Sequence, residues 1–112
     1  MTARYQPDAQ ALADASMTTE AAFQVHVVGL LRRYGWKSYH TRDSRRSDPG
    51  FPDLVAVRAG RLLAIELKTL RGRATEEQMA WLTALNEVEQ VDAFILRPPR
   101  DGDWAEFVRM IR

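Results

Sequence analysis

Residues 52–68, PDLVAVRAGRLLAIELK, constrain this chain more than any other stretch. Two runs rich in Val, Leu and Ile, at 53–58 and 61–68, flank Ala59 and Gly60, which is the pattern of two antiparallel strands joined by a two-residue turn. In that register Arg58 faces Arg61, Val57 faces Leu62, and Asp53 faces Glu66. Opposed residues on one sheet face have Cβ atoms about 4.5 to 5.5 Å apart, and like charges at that separation are destabilising unless something compensates. Side chains alternate along a strand, so Lys68 shares the face of Glu66, and Leu63, Ile65 and Leu67 point to the other. A three-residue loop, or a bulge at Gly60, would slip the register by one and turn Asp53 away from Glu66.

A divalent cation is the natural compensation for two facing carboxylates. The chain has no Cys and two His, so neither a disulfide framework nor a thiolate zinc site is available, and a metal must be held mainly by oxygen. Hard carboxylate oxygens with room for water suit Mg²⁺ or Mn²⁺. Near a phosphodiester, that arrangement would polarise the phosphate and lower the pKa of a bound water, with Lys68 orienting the water or meeting the growing negative charge. The plainer reading is that Asp53 ends a loop and Glu66 and Lys68 form a surface ion pair. Against it, Glu66 and Lys68 interrupt an apolar strand, and an acid stands at the matching position of the partner strand.

Around this hairpin the pattern is that of one mixed α/β domain. From Thr18 or Thr19 as N-cap, Phe23, Val27, Leu30 and Tyr34 recur at helical spacing until Gly35. Residues 36–41 read as a strand, and the basic loop RDSRRSDPGF leads to Asp53. Thr75 opens a second helix with Met79, Leu82, Leu85 and Val88 as its expected buried stripe. Residues 91–97 form a fourth strand ended by Pro98 and Pro99, and Asp103 caps a last helix with Trp104, Phe107, Val108 and Ile111 on one face. The order is αβββαβα, with residues 1–17 an N-terminal arm or weak helix and 18–112 a single domain. At 112 residues the chain has room for one core and one active site.

The net charge of +1 does not mark a generic DNA-coating protein, but the charges segregate. Residues 32–46 hold six Lys or Arg and one acid, whereas residues 76–92 hold five acids and no Lys or Arg, so one region suits phosphate and another repels it. Fourteen of the sixteen cations are Arg; a GC-rich genome explains that bias more readily than phosphate recognition does. The first thirty residues lack the features of a signal peptide and no apolar run reaches membrane-spanning length, so a cytoplasmic location away from membranes is expected.

The run GFPDLVAVRAGRLLAIELKTLRGRATEEQMAWLTAL resembles the VRR-NUC family of the PD-(D/E)XK nuclease superfamily, in the stand-alone form of phages and bacteria. The likeness covers residues 20–98 and is carried by GFPD at 50–53, IELK at 65–68, Gln78 and Trp81. It implies a restriction-endonuclease-like fold, with a central mixed sheet flanked by helices. It also implies that Asp53, Glu66 and the Leu67 carbonyl bind Mg²⁺ or Mn²⁺, and that Lys68 assists the attacking water. Glu20 would complete the acidic cluster, directly or through water, and Gln78 would stand beside it. Local helix physics explains both residues as well: an acid in a first helical turn suits the macrodipole, and Thr75 with Gln78 makes a capping box.

Arg42, Arg45 and Arg46 on one side, and Arg71 and Arg73 on the other, are candidate phosphate contacts whose plainer reading is a solvated loop. His40 reads as a polar face residue, and Trp36 and Tyr39 as core or interface residues. The resemblance implies a metal-dependent DNA endonuclease, structure-selective toward Holliday junctions or other branched DNA, acting as a homodimer in a bacterial or phage-infected cell. A sequence-tolerant or nicking endonuclease and a non-catalytic nucleic-acid-binding module, or subunit of a larger nuclease, are the alternatives.

Overall fold

The computed structural model describes residues 19–41, 48–99 and 103–112. The arm at residues 1–17, the alternative cap Thr18, and Arg42, Arg45 and Arg46 lie outside the described residues, as does the capping side chain of Asp103. The elements are α1 (Glu20–Arg33), β1 (Lys37–His40), β2 (Leu54–Arg58), β3 (Arg61–Leu67), α2 (Glu76–Asn86), β4 (Val91–Leu96) and α3 (Asp103–Ile111), in the order read from the sequence. They build one four-stranded sheet, β1-β2-β3-β4. β1 and β3 both run antiparallel to β2, and β4 is parallel to β3, as a crossover through α2 allows.

β3 sits centrally and is buried on both faces. On one side Leu63, Ile65 and Leu67 join Leu54, Ala56 and Leu96 under α1 and α3, packing against Phe23, Val27, Leu30, Leu31, Trp104, Phe107, Val108 and Ile111. On the other, Ala64 and Ala93 meet Leu82 of α2, with Leu62, Leu85 and Ile95 partly buried around them. Thr19 is the N-cap of α1, its Oγ1 accepting the Ala22 N–H at 3.1 Å. Trp36 is core, its indole N–H donating to the Ile111 carbonyl at 2.8 Å. The outward edge of β4 is covered at Ala93, whose N–H and C=O both bond the Asn86 amide at 2.8 Å, so this stretch of edge offers no template for another strand.

One expectation needs correction. Met79 and Val88 are not in the buried stripe of α2: they are 46% and 54% exposed. The inward positions are Gln78, Leu82 and Leu85, an i, i+4, i+7 spacing that begins one residue earlier than Met79 and with a polar side chain, and Val88 lies beyond the end of the helix at Asn86. Tyr39 is 65% exposed and belongs to no core, because α2 covers β3 and β4 and leaves the β1–β2 half of that face open. His40 is half-buried at the end of β1.

Candidate active site

The hairpin turn has positive φ at both central residues, 49° at Ala59 and 82° at Gly60, the conformation that matches strand twist in two-residue hairpins. It keeps the even register: Arg58 pairs with Arg61 and Leu54 with Ile65, so the next opposed pair is Asp53 and Glu66. Asp53 lies just outside the ladder, where its side chain replaces a backbone bond: Oδ2 accepts the Leu67 N–H at 2.8 Å. Its own carbonyl accepts the Thr41 N–H at 3.0 Å, tying it to the end of β1. The Lys68 N–H donates to the Leu96 carbonyl at 3.1 Å. Because N–H and C=O of one trans peptide point in opposite directions, the Leu67 carbonyl points the other way, toward Asp53.

The segment before Asp53 is clamped to α2. Gly50 has φ +90°, and a Cβ there would stand 2.6 Å from the Glu77 carbonyl carbon, so the chain passes against the first turn of α2 in a way only glycine permits. Phe51 sets its ring edge-on to Trp81 with centroids 5.0 Å apart, and Pro52 is buried. The GFPD and Trp81 positions thus have a shared physical purpose, which is to fix where Asp53 stands relative to α2.

Glu66 is 2% exposed and is the one buried charged residue among those described. Its Oε2 accepts from Gln78 Nε2 at 2.9 Å and pairs with Lys68 Nζ at 3.2 Å, whereas Oε1 is buried and meets no N–H donor, and the Asp53 carboxylate is near enough for a shared proton to favour the acid form. Burial first, and the Asp53 charge second, push its pKa up to about 7 against the pull of Lys68. Glu20, more exposed at the start of α1, is also raised, by burial and then by Asp53, with Lys68 opposing. The fold therefore brings Glu20, Asp53, Glu66, Lys68 and Gln78 into one electrostatic neighbourhood. Asp53 and Glu66 form its tight pair; among the described residues no three His, Cys, Asp or Glu side chains come close enough to hold a metal ion by themselves.

Gln78 caps its helix and touches Glu66 at once. Its N–H donates to Thr75 Oγ1 at 3.1 Å and its Oε1 accepts the Thr75 N–H at 2.8 Å, completing the capping box. With Oε1 committed to the cap, the amide must present Nε2 to Glu66. Separating the two duties is possible by mutation. Thr75→Ala is expected to cost about 1 kcal/mol of stability and leave activity within a few-fold. Gln78→Ala should cost a similar amount but lower activity roughly 10- to 100-fold, as loss of a bond that orients a buried carboxylate in a site does. Thermal melts with parallel activity assays check this; equal activity in the two variants would confine Gln78 to the helix end.

The raised Glu66 pKa also sets a pH dependence. Between the ordinary value of 4.5 and about 7 the folded protein holds a proton that the unfolded chain has lost, so stability of the metal-free protein falls as pH rises through that window and levels off above it. Melting in EDTA at pH 5 and pH 8 is expected to give the higher midpoint at pH 5. In Glu66→Gln that part of the difference should vanish.

Arg71 and Arg73 are exposed in the connection after β3, and neither touches the acidic pair through any recorded bond. Arg97 gave no signal in the sequence, being a lone cation before Pro98, yet its guanidinium lies across this connection, donating to the carbonyls of Thr69 and Gly72. Thr41, equally unremarked, holds the Asp53 and Pro52 carbonyls.

Comparison with known proteins agrees with this arrangement. The VRR-NUC domain family matches residues 4–97, beginning ahead of the motifs that carry the resemblance. Among solved structures, a VRR_NUC domain protein superposes with a TM-score of 0.62 at 20% identity, over 83% of this chain and 87% of that one. Hjc of Archaeoglobus fulgidus, described as a Holliday junction resolvase from an archaeal hyperthermophile, superposes with a TM-score of 0.54 at 20% identity, over 70% of this chain and 68% of that one. At such identity these show a shared restriction-endonuclease-like fold. No curated protein matches the sequence. With most of its length matched and the family's motifs brought together at one end of the sheet, this chain belongs to the VRR-NUC family of nucleases.

Proposed function

We propose that this protein is a metal-dependent DNA endonuclease that acts on branched DNA. The observation that carries the reading is the buried, unpartnered Glu66 Oε1 beside Asp53. A buried carboxylate oxygen without a donor is costly, and a hard cation shared by two carboxylates relieves both that cost and their repulsion. The donor set fits Mg²⁺ or Mn²⁺: Asp53, Glu66 and the Leu67 carbonyl are hard oxygen ligands, and Glu20 would assist directly or through water. When bound, such a cation supplies Lewis-acid polarisation of the phosphate and a more acidic water.

The chain's own groups do the positioning. Glu66 is oriented by Gln78 and Lys68, and Asp53 by the Leu67 N–H. Lys68 Nζ, mostly buried next to Glu66, offers a donor to the attacking water or to a phosphate oxygen as charge grows on it. Arg71 and Arg73 stand where flanking phosphates would be met; Arg42, Arg45 and Arg46 are proposed for the opposite approach. Selectivity for four-way junctions is carried over from Hjc, whose description names that substrate, and a two-fold dimer would place two such sites for paired cuts.

The test is incubation with end-labelled four-way junction, linear duplex and single strand, in Mg²⁺, Mn²⁺ or EDTA. Paired, metal-dependent cuts in the junction in preference to duplex are expected. Equal cutting of duplex and junction would reduce the reading to a sequence-tolerant or nicking endonuclease, and binding without cutting in either metal would make the chain a binding module.

A further inference from the structure

Arg97 follows the last residue of β4 but does not spend its charge on solvent. Its Nη1 donates to the Thr69 carbonyl at 2.7 Å and to the Gly72 carbonyl at 2.6 Å. Those two carbonyls belong to one turn, which is closed from within by the Gly72 N–H, bonded to the Thr69 carbonyl at 3.2 Å and to Thr69 Oγ1 at 3.1 Å. The turn leaves β3 directly after Lys68, carries Arg71 at its exposed corner, and delivers the chain to exposed Arg73. It also packs on the active-site lysine: a Cβ built on Gly72 would lie 3.5 Å from Lys68 Cδ and 3.2 Å from Thr69 Oγ1.

Charge-assisted bonds to two carbonyls of the same turn fix its shape more firmly than two bonds to solvent could. Without the guanidinium, the Gly72 carbonyl would depend on water and the Thr69 carbonyl would keep only the Gly72 N–H, and the four residues of the turn, 69–72, would sample several conformations. With Nη1 committed to two backbone oxygens, the influence assigned here to Arg97 on a nucleic acid acts through the turn.

We propose that Arg97 is a positioning residue, which by bridging the Thr69 and Gly72 carbonyls holds Arg71 and Arg73 in a phosphate-contacting arrangement and braces the stem of Lys68. This rests on the nuclease reading above. A residue that merely stabilises the fold would lower the melting temperature and leave the ionic character of DNA binding alone. A residue that shapes the cationic turn changes the number of phosphates neutralised, even when the variant that loosens the turn removes no charge.

The experiment measures the salt dependence of binding to a labelled four-way junction in EDTA, for wild type, Arg97→Gln, Thr69→Val, the Arg71→Ala/Arg73→Ala double variant, and that double combined with Arg97→Gln. Each lost phosphate contact makes the slope of log K against log salt shallower by about one. Arg97→Gln is expected to make the slope shallower by about one to two and to weaken binding roughly 10-fold at ~0.1 M salt. Thr69→Val should move it in the same direction without loss of a cation, and Arg97→Gln should add nothing on top of the double variant. At saturating junction with Mn²⁺, single-turnover cutting by Arg97→Gln should fall about 10-fold through Lys68, with partial recovery in Arg97→Lys, which keeps a cationic donor without the planar fork.

An unchanged slope in Arg97→Gln and Thr69→Val, with wild-type binding normal, overturns the inference alone. Additive losses in the combined variant would mean that Arg97 itself meets phosphate, which also overturns it. A wild-type protein that neither binds nor cuts any of the DNAs overturns the nuclease reading and the inference with it.

Discussion

Glu66→Gln is expected to lower strand cutting by ~10³-fold or more while junction binding survives within a few-fold, and to raise the melting temperature of the metal-free protein at pH 8. The combination follows from the position of the side chain. Glu66 is buried beside Asp53 with one oxygen unpartnered, so at pH 8, above its pKa of about 7, the metal-free fold carries a buried charge it would be more stable without. An amide of the same shape can still accept from Gln78 and Lys68, but it neither repels Asp53 nor holds a divalent cation. Lys68→Ala should also lose cutting by about 10²- to 10³-fold, the usual cost of removing one group aimed at developing charge, and it should drive the Glu66 pKa higher by removing the neighbouring cation. Single-turnover rates with saturating junction, together with melts in EDTA, check both variants. A Glu66→Gln protein that cuts normally would remove Glu66 from the site.

The second large effect belongs to a residue with no functional group. Gly50→Ala places a methyl 2.6 Å from backbone of Glu77 and 2.7 Å from its Cβ, at a φ of +90° that L side chains avoid. The contact is with helix backbone, which cannot swing away, so the loop must move instead. About 2 kcal/mol or more of stability should be lost. Cutting should drop roughly 10²-fold even at temperatures where the protein is fully folded, because the displaced loop carries Asp53, whereas Gln78 and Glu66 stay where they are. Denaturant titration and rate measurement on the same preparation separate the two consequences; full activity in a folded Gly50→Ala protein would show that the loop does not position Asp53.

Much of this site could be read from the sequence because strand geometry is local. Alternation and a two-residue turn suffice to place Asp53 opposite Glu66 and Lys68 on the same side, and the Ala59-Gly60 turn has the backbone that this register needs. Glu20 was reached through the resemblance alone, since which side of the sheet carries the start of α1 depends on packing distant in sequence. Gln78 was ambiguous for a physical reason: one amide serves the helix cap with its oxygen and Glu66 with its nitrogen. The same residue explains the error on α2, where Met79 was expected inward on hydrophobicity but Gln78 takes that position because Glu66 needs a donor there. Tyr39 has no core position because α2 covers only the far half of the sheet, which nothing in β1 reveals. Arg97 was missed because its bonds go to backbone carbonyls, which carry no residue signature.

Asp53 and Glu66, facing each other across the β2–β3 hairpin, are proposed to share a divalent cation. Calorimetric titration of Mn²⁺ into the metal-free protein, without DNA, tests this most directly. One ion per chain is expected, bound more tightly at pH 8 than at pH 6 because Glu66 must give up its proton, and lost or greatly weakened in Glu66→Gln and in Asp53→Asn. Binding of the same strength and pH dependence in either variant would mean that the ion sits somewhere other than between these two carboxylates.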